Sequence, residues 1–383
     1  MIVGMDVLAA RRFDALHGRR VGLLSHQAAL TRNGTTSAQC LRAALGNRLA
    51  ALYGPEHGFF GQAGAGVHTT SRRHPDWGIP VHSLYGERRK PTPAMLSGLD
   101  LMVCDLQDLG VRCYTYLATL RNMLEACRDA GLSVLVTDRP IPLPRAVDGP
   151  MPDADALGFV TPCMVPLVYG MTPAESALWL RHTLFPDLRL DVVPMEGWTR
   201  EDAAWDGQRP AFLPPSPGIR TWESAMTYAA TVFCEALSGI DCGRNTNLAF
   251  RVLGAPWLRA GQTCARLKSL RLAGVAFTPY RYTAAGGTYD GRELDGILLT
   301  VTDPARFAPA TVSLALLQTL AEQYGPRRVW HHKGVRPTWF DTLYGTATTR
   351  RDLRGGRPFR EIAAEWRTAQ RAFQTARAAV LLY

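Results

Sequence analysis

The chain has 383 residues, 46% hydrophobic and 20% charged, with a formal net charge of +10. Those proportions belong to a folded globular protein long enough for two domains. No apolar run approaches the ~20 residues needed to cross a bilayer. Charges scattered through the first stretch leave no secretory leader there, so a cytoplasmic home is expected, a periplasmic one requiring a leader already removed. The positive charge is almost wholly arginine, Lys90, Lys268 and Lys333 being the only lysines, and it is dispersed. A stripe of basic residues with interleaved aromatics is missing. No nucleic-acid partner is therefore expected, and a small anionic ligand held by a few arginines fits better. The 8 cysteines lie singly with no CxxC, which reads as reduced thiols and not a disulfide framework.

In chain order, RVGLLS (20–25) is an apolar strand and SAQCLRAALG (37–46) has helical spacing. RLAALYG (48–54) and IPVHSLYG (79–86) are strand-like, and LDLMVCDLQD (99–108) is a buried strand ending in acids. An amphipathic helix over 114–131 stops at a glycine, and LSVLVTDRP (132–140) is another buried strand. Apolar strands alternating with helices predict a Rossmann-like parallel sheet covered on both faces, an α/β domain over 1–150 extending to about 240 at most. Beyond it, Thr172, Pro173 and Glu175 make a capping box that starts a helix, and LRLDVVPMEGW carries a strand. A Pro-rich loop, FLPPSPGIR, leads into another helix. The remainder, 241–383, holds helices near 257–270, 308–324 and 357–379 and two strands, GVAFTPYRYT and LDGILLTVTD. Its irregular alternation predicts a smaller α+β domain.

Each apolar run of the first domain ends in polar groups: Ser25-His26-Gln27, Glu56-His57, Asp105 to Asp108 with Arg112, and Asp138-Arg139. Ligands of open parallel sheets bind beyond the carboxyl ends of the strands, so these ends are the first place to look for a site. The glycines of GQAGAG have the wrong spacing for a dinucleotide, and neither a P-loop nor a GxSxG elbow occurs. The histidines lack HExxH spacing and a cysteine partner, so neither metal nor other cofactor is expected. Carboxylates, arginines and tyrosines remain, the equipment of glycoside hydrolysis.

Individually, several of these have bland readings. Asp138-Arg139 suits a turn salt bridge, Tyr114 and Tyr116 suit packing at a helix start, and Asp105 suits backbone amides at the sheet edge. Glu56 resists that treatment best. In LYGPEHGFFGQ (52–62), glycines on both sides hold the backbone tightly and leave its carboxylate little choice of direction.

Ordered along nearly the whole chain, GPEHGFFG (54–61), VHSLYGERRKPT (81–92), DLQDLGVRCYTYLATL (105–120), TDRPIPL (137–143), PLVYGMTPAE (166–175), PPSPGIRTWESAMTY (214–228) and GRNTNLAFRVLGAPW (243–257) resemble the NamZ-type, or DUF1343, exo-β-N-acetylmuramidase family of glycoside hydrolases. The resemblance implies a Rossmann-like domain with a smaller second domain and the active cleft between them. It implies removal of N-acetylmuramic acid from the non-reducing ends of peptidoglycan fragments, in cell-wall recycling, with a small saccharide or muropeptide as partner, no membrane, and a homo-oligomer left open. The family's catalytic glutamate falls on Glu56. On this reading Glu56 is the general acid beside apolar Phe59 and Phe60, His57 its helper, and Asp108 the second carboxylate with Asp105 in reserve. One of Arg112, Arg139 or Arg244 would clamp the lactyl carboxylate of muramic acid. Tyr114, Tyr116, Tyr169 and Asp138 complete the expected binding residues. A saccharide-binding protein that kept the cleft without turnover is the alternative.

Overall fold

The computed structural model describes residues 1–201 and 212–383. Its larger sheet contains β1 (Val21–Ser25), β2 (Leu49–Gly54), β3 (Arg72–Arg73), β4 (Pro80–Ser83), β5 (Leu101–Asp105), β6 (Ser133–Thr137) and β7 (Leu190–Val193). The order is β3-β4-β2-β1-β5-β6-β7, and every pair is parallel except the short β3–β4 edge. The expected Rossmann-like sheet is present, and it draws strands from as far along the chain as Val193.

Side chains on the central strands alternate between two buried faces, as the pleat requires. Val21, Leu23, Leu101 and Val103 pack with helices α1 (Gly4–Ala10) and α2 (Ser37–Leu45). Leu24, Met102 and Cys104 face the other way, into a larger core shared with α4 (Tyr116–Asp129) and α5 (Pro173–Leu184); between these pairs lies the short α3 (Pro93–Leu96). The capping box expected at Thr172 is formed, Thr172 Oγ1 accepting from Glu175 N while Glu175 accepts from Thr172 N. Because β2 and β5 flank β1 on opposite sides, the chain's winding reverses at β1 and opens a crevice above the strand ends.

The second part begins with α6 (Trp222–Thr231) and a 3₁₀ turn, Val232–Glu235. It carries a three-stranded antiparallel sheet of order β8-β10-β9, with β8 (Val252–Gly254), β9 (Val275–Thr283) and β10 (Glu293–Val301). Pro279 sits in β9, the edge strand, where a missing donor is tolerated. Around this sheet lie α7 (Ala260–Ser269), α8 (Pro309–Tyr324), α9 (Pro326–Trp330), α10 (Pro337–Tyr344), α11 (Thr348–Arg354) and α12 (Phe359–Arg377). Phe233, Leu317, Phe340 and Phe373 join the same core as Leu117 and Leu180, so the two parts share their apolar interior. All eight cysteines are free. No helix among the described residues is long and apolar enough to cross a membrane.

Candidate active site

Beyond the ends of β2, β4 and β5 lies a cavity of about 540 Å³, closed on its other side by the second part of the chain. Its walls include Glu56, His57, Tyr85, Arg89, Tyr114 and Thr115 from the sheet edge, and Ser216, Tyr228, Glu235, Arg244, Arg336 and Trp339 from beyond residue 214.

Glu56 follows β2 directly, and its neighbours explain its fixed placement. A side chain at Gly54 would put its Cβ 2.3 Å from the backbone N of Phe59, so only glycine lets the chain fold back this sharply. His57 adopts the left-handed conformation at φ 72°, uncommon for a non-glycine residue, and is pinned by Nδ1 at 2.9 Å from Ala63 O. Gly66 N donates to Glu56 Oε1 at 2.8 Å and Thr115 Oγ1 donates to Oε2 at 2.7 Å. Tyr85 lines the same cavity, and burial and the Glu56 charge push its phenol up to about 12. Burial lowers the His57 pKa and so favours the neutral ring, against the opposing pull of the Glu56 charge.

The second carboxylate on the cavity wall is Glu235, at the end of the 3₁₀ turn. Arg244 Nη1 donates to its Oε1 at 2.7 Å. Burial raises the Glu235 pKa, with the Glu56 charge adding to the effect and Arg244 opposing it. Sequence reasoning passed Glu235 over, although a lone acid inside TVFCEAL is the kind of misfit that marks a functional position.

The remaining expected residues fall into two groups. Glu56, His57, Tyr114 and Arg244 line the cavity. Asp105, Asp108, Arg112, Tyr116, Asp138, Arg139 and Tyr169 do not, and each is instead committed to the framework. Asp105 and Arg139 form a buried two-pronged ion pair, with Arg139 Nη2 at 2.9 Å from Oδ2, and Ser37 Oγ donates to the same carboxylate. Asp138 accepts from Arg139 N, Ala174 N, Thr172 Oγ1 and the Tyr383 hydroxyl at 2.7 to 2.9 Å. Asp108 accepts from Leu109 N at 2.6 Å and from the Tyr169 hydroxyl at 3.2 Å, and burial pushes its pKa up to about 7. Arg112 donates to the carbonyls of Pro150, Val165 and Tyr344 at 2.5 to 2.9 Å, tying the sheet edge to α10. Gly345, at φ 73°, makes room for that guanidinium, since a Cβ there would lie 2.5 Å from Arg112 Nη2. The Tyr116 hydroxyl donates to Pro215 O at 2.5 Å, and Gln27 Nε2 donates to Pro214 O at 2.9 Å, so both brace the Pro-rich loop that carries Ser216. Phe59 and Phe60 also turn away from the Glu56 cavity, into a neighbouring one with His74 and Trp77. Among the described residues no cluster of histidine, cysteine and acid side chains has the arrangement to hold a metal ion.

Family models described as exo-β-N-acetylmuramidase NamZ, N-terminal and C-terminal, match residues 21–223 and 226–383. The chain belongs to this family. The peptidoglycan β-N-acetylmuramidase NamZ of Bacillus subtilis strain 168 is 32% identical over 381 residues, which is 99% of this chain and 91% of that protein. Two solved DUF1343 family proteins from Bacteroides fragilis NCTC 9343 share the fold. One has a TM-score of 0.92 at 28% identity and the other 0.76 at 25%, each aligned over 100% of this chain and 98% of its own. The NamZ family boundary, between residues 223 and 226, falls inside α6, one element of the wall on which the sheet edge and the second part meet.

Proposed function

We propose that this glycoside hydrolase is an exo-β-N-acetylmuramidase that releases N-acetylmuramic acid from the non-reducing ends of peptidoglycan fragments, using Glu56 and Glu235 as its carboxylate pair. The observation that carries this reading is that those two glutamates line one cavity, contributed by the two parts of the chain. The full-length similarity to a named peptidoglycan β-N-acetylmuramidase supports the substrate class.

Glycoside hydrolysis needs one carboxyl group to protonate the leaving oxygen and a second to activate water or attack the anomeric carbon. Glu56 is assigned the first role. Gly66 N–H holds one oxygen in place, and the Thr115 hydroxyl, which rotates freely, can accept when the carboxyl carries its proton. Glu235 is assigned the second role and must be ionised to perform it, which the adjacent Arg244 charge assists. Tyr228 and Trp339 supply the faces against which a pyranose ring packs. His57, kept neutral, orients the loop that carries Glu56.

The test is aryl release from a β-N-acetylmuramyl glycoside by wild type and Glu56→Gln. Turnover by wild type is expected, with loss in the variant for a poor leaving group and substantial recovery for dinitrophenolate, which needs no protonation. Binding of muropeptides without any turnover by wild type would replace the enzyme by a saccharide-binding protein.

A further inference from the structure

Three arginines reach the cavity, and they differ in what else they hold. Arg244 is paired with Glu235 at 2.7 Å. Arg336 donates Nη2 to the Glu235 carbonyl and lies over Trp339, 5.6 Å from the ring centroid. Arg89 alone has neither an acid nor a carbonyl partner for its guanidinium among the described residues. Its backbone is fixed by Asn122 Nδ2, which donates to Arg89 O at 2.9 Å. The guanidinium lies 4.3 Å from the Phe159 ring centroid and 5.5 Å from that of Tyr85, and those two rings are 5.8 Å apart.

Stacking on aromatic faces engages the flat surface of a guanidinium and leaves its in-plane N–H donors free. Arg89 is thus an exposed planar cation on the cavity wall, packed against Phe159 and Tyr85, whose side-chain donors meet no protein acceptor among the described residues. Tyr85 supplies the link to the chemistry, because it lines the same cavity as Glu56 while its ring flanks Arg89. A guanidinium fork is matched best by an anion that offers two acceptors in one plane. A sugar-borne carboxylate has that form.

We infer that Arg89, steadied by Tyr85 and Phe159, is the specificity-determining residue that binds the lactyl carboxylate of the sugar whose glycosidic bond is cleaved. The inference rests on the muramidase reading above. It places the discrimination between muramic acid and glucosamine at the end of β4, and not at Arg112, Arg139 or Arg244.

The experiment compares kcat/KM of wild type, Arg89→Ala, Arg89→Lys and Arg336→Ala on aryl β-glycosides of N-acetylmuramic acid, its lactyl N-methylamide and N-acetylglucosamine. Binding of free N-acetylmuramic acid and N-acetylglucosamine is measured alongside by calorimetry. Arg89→Ala is expected to lower kcat/KM for the acid by about 10- to 100-fold, the range of a hydrogen bond to a charged group. Rates on the amide and on glucosamine should move less than twofold, and Lys should recover part of the loss. Equal losses on all three substrates, unchanged preference for the acid, or a preference abolished by Arg336→Ala instead would overturn the assignment. If wild type binds the acid selectively and Arg89→Ala removes that selectivity, but neither turns over any glycoside, Arg89 stands and the hydrolase reading falls.

Discussion

Two groups of ionisable residues occupy neighbouring parts of this molecule, and their partners separate them. At the ends of β5 and β6, Asp105 and Arg139 are at most 1% exposed and bind each other, with Ser37 and the Leu30 carbonyl taking the remaining donors and acceptors. Asp138 is likewise saturated by backbone and hydroxyl groups, and both terminal nitrogens of Arg112 are spent on backbone carbonyls. Around the cavity, Glu235 and Arg244 keep part of their surface open, at 17% and 34%, and the exposed Arg89 guanidinium has no protein acceptor among the described residues. A buried charge with all its bonds made holds a fold together, whereas one with capacity left over, facing a cavity, is available to a ligand. Burial alone does not distinguish them, since Glu56 is itself only 8% exposed.

The comparison breaks most easily at the glutamates. Glu56→Gln and Glu235→Gln should each lower kcat/KM on a muramyl glycoside by about 10²- to 10⁴-fold, the usual contribution of a positioned acid or base, while thermal unfolding stays close to wild type. Arg139→Met should do the reverse. Leaving Asp105 buried and unpaired costs about 3–5 kcal/mol of stability, seen as a lower denaturant midpoint, while the protein that remains folded keeps its kcat.

The pH dependence sharpens the cavity side. Glu235 must lose its proton to act, and burial raises its pKa, so the acidic limb of kcat/KM should lie above the ordinary glutamate range. Arg244 pulls that pKa down, so Arg244→Gln should move the limb to still higher pH. A limb that stays in place would remove Glu235 from the titration. The smallest effect belongs to Tyr116→Phe, which removes the shorter of the two hydrogen bonds to Pro215 O and leaves Gln27 Nε2 at 3.3 Å; a loss of about 1 kcal/mol in stability is expected, with kcat/KM changed only a few-fold.

Much of the fold was legible because apolar strands, a capping box and helical periodicity are local patterns. The helix read over 114–131 is Tyr116–Asp129, and the strand read over 132–140 is Ser133–Thr137. The direction of the site was legible too, since strand ends of a parallel sheet face one crevice. Which strand-end residues enter the cavity was not. Asp105 and Arg139 lie 34 positions apart, and only the parallel pairing of β5 with β6 brings them into mutual contact. Glu235 and Arg89 were missed for opposite reasons. One is a single acid buried in an apolar helical run, and the other is an exposed arginine in the basic stretch GERRK, whose place on the cavity wall beside Phe159 only the fold reveals.

The central claim is that the second catalytic carboxylate is Glu235 and not Asp108, which accepts from Leu109 N and the Tyr169 hydroxyl outside the cavity. Measuring kcat/KM for Glu235→Gln and Asp108→Asn side by side on the same muramyl glycoside tests it most directly. The account predicts a loss of about 10²-fold or more for Glu235→Gln, as for a displaced acid or base, and a change of only a few-fold for Asp108→Asn. Near-normal turnover by Glu235→Gln with a folded, inactive Asp108→Asn would contradict it.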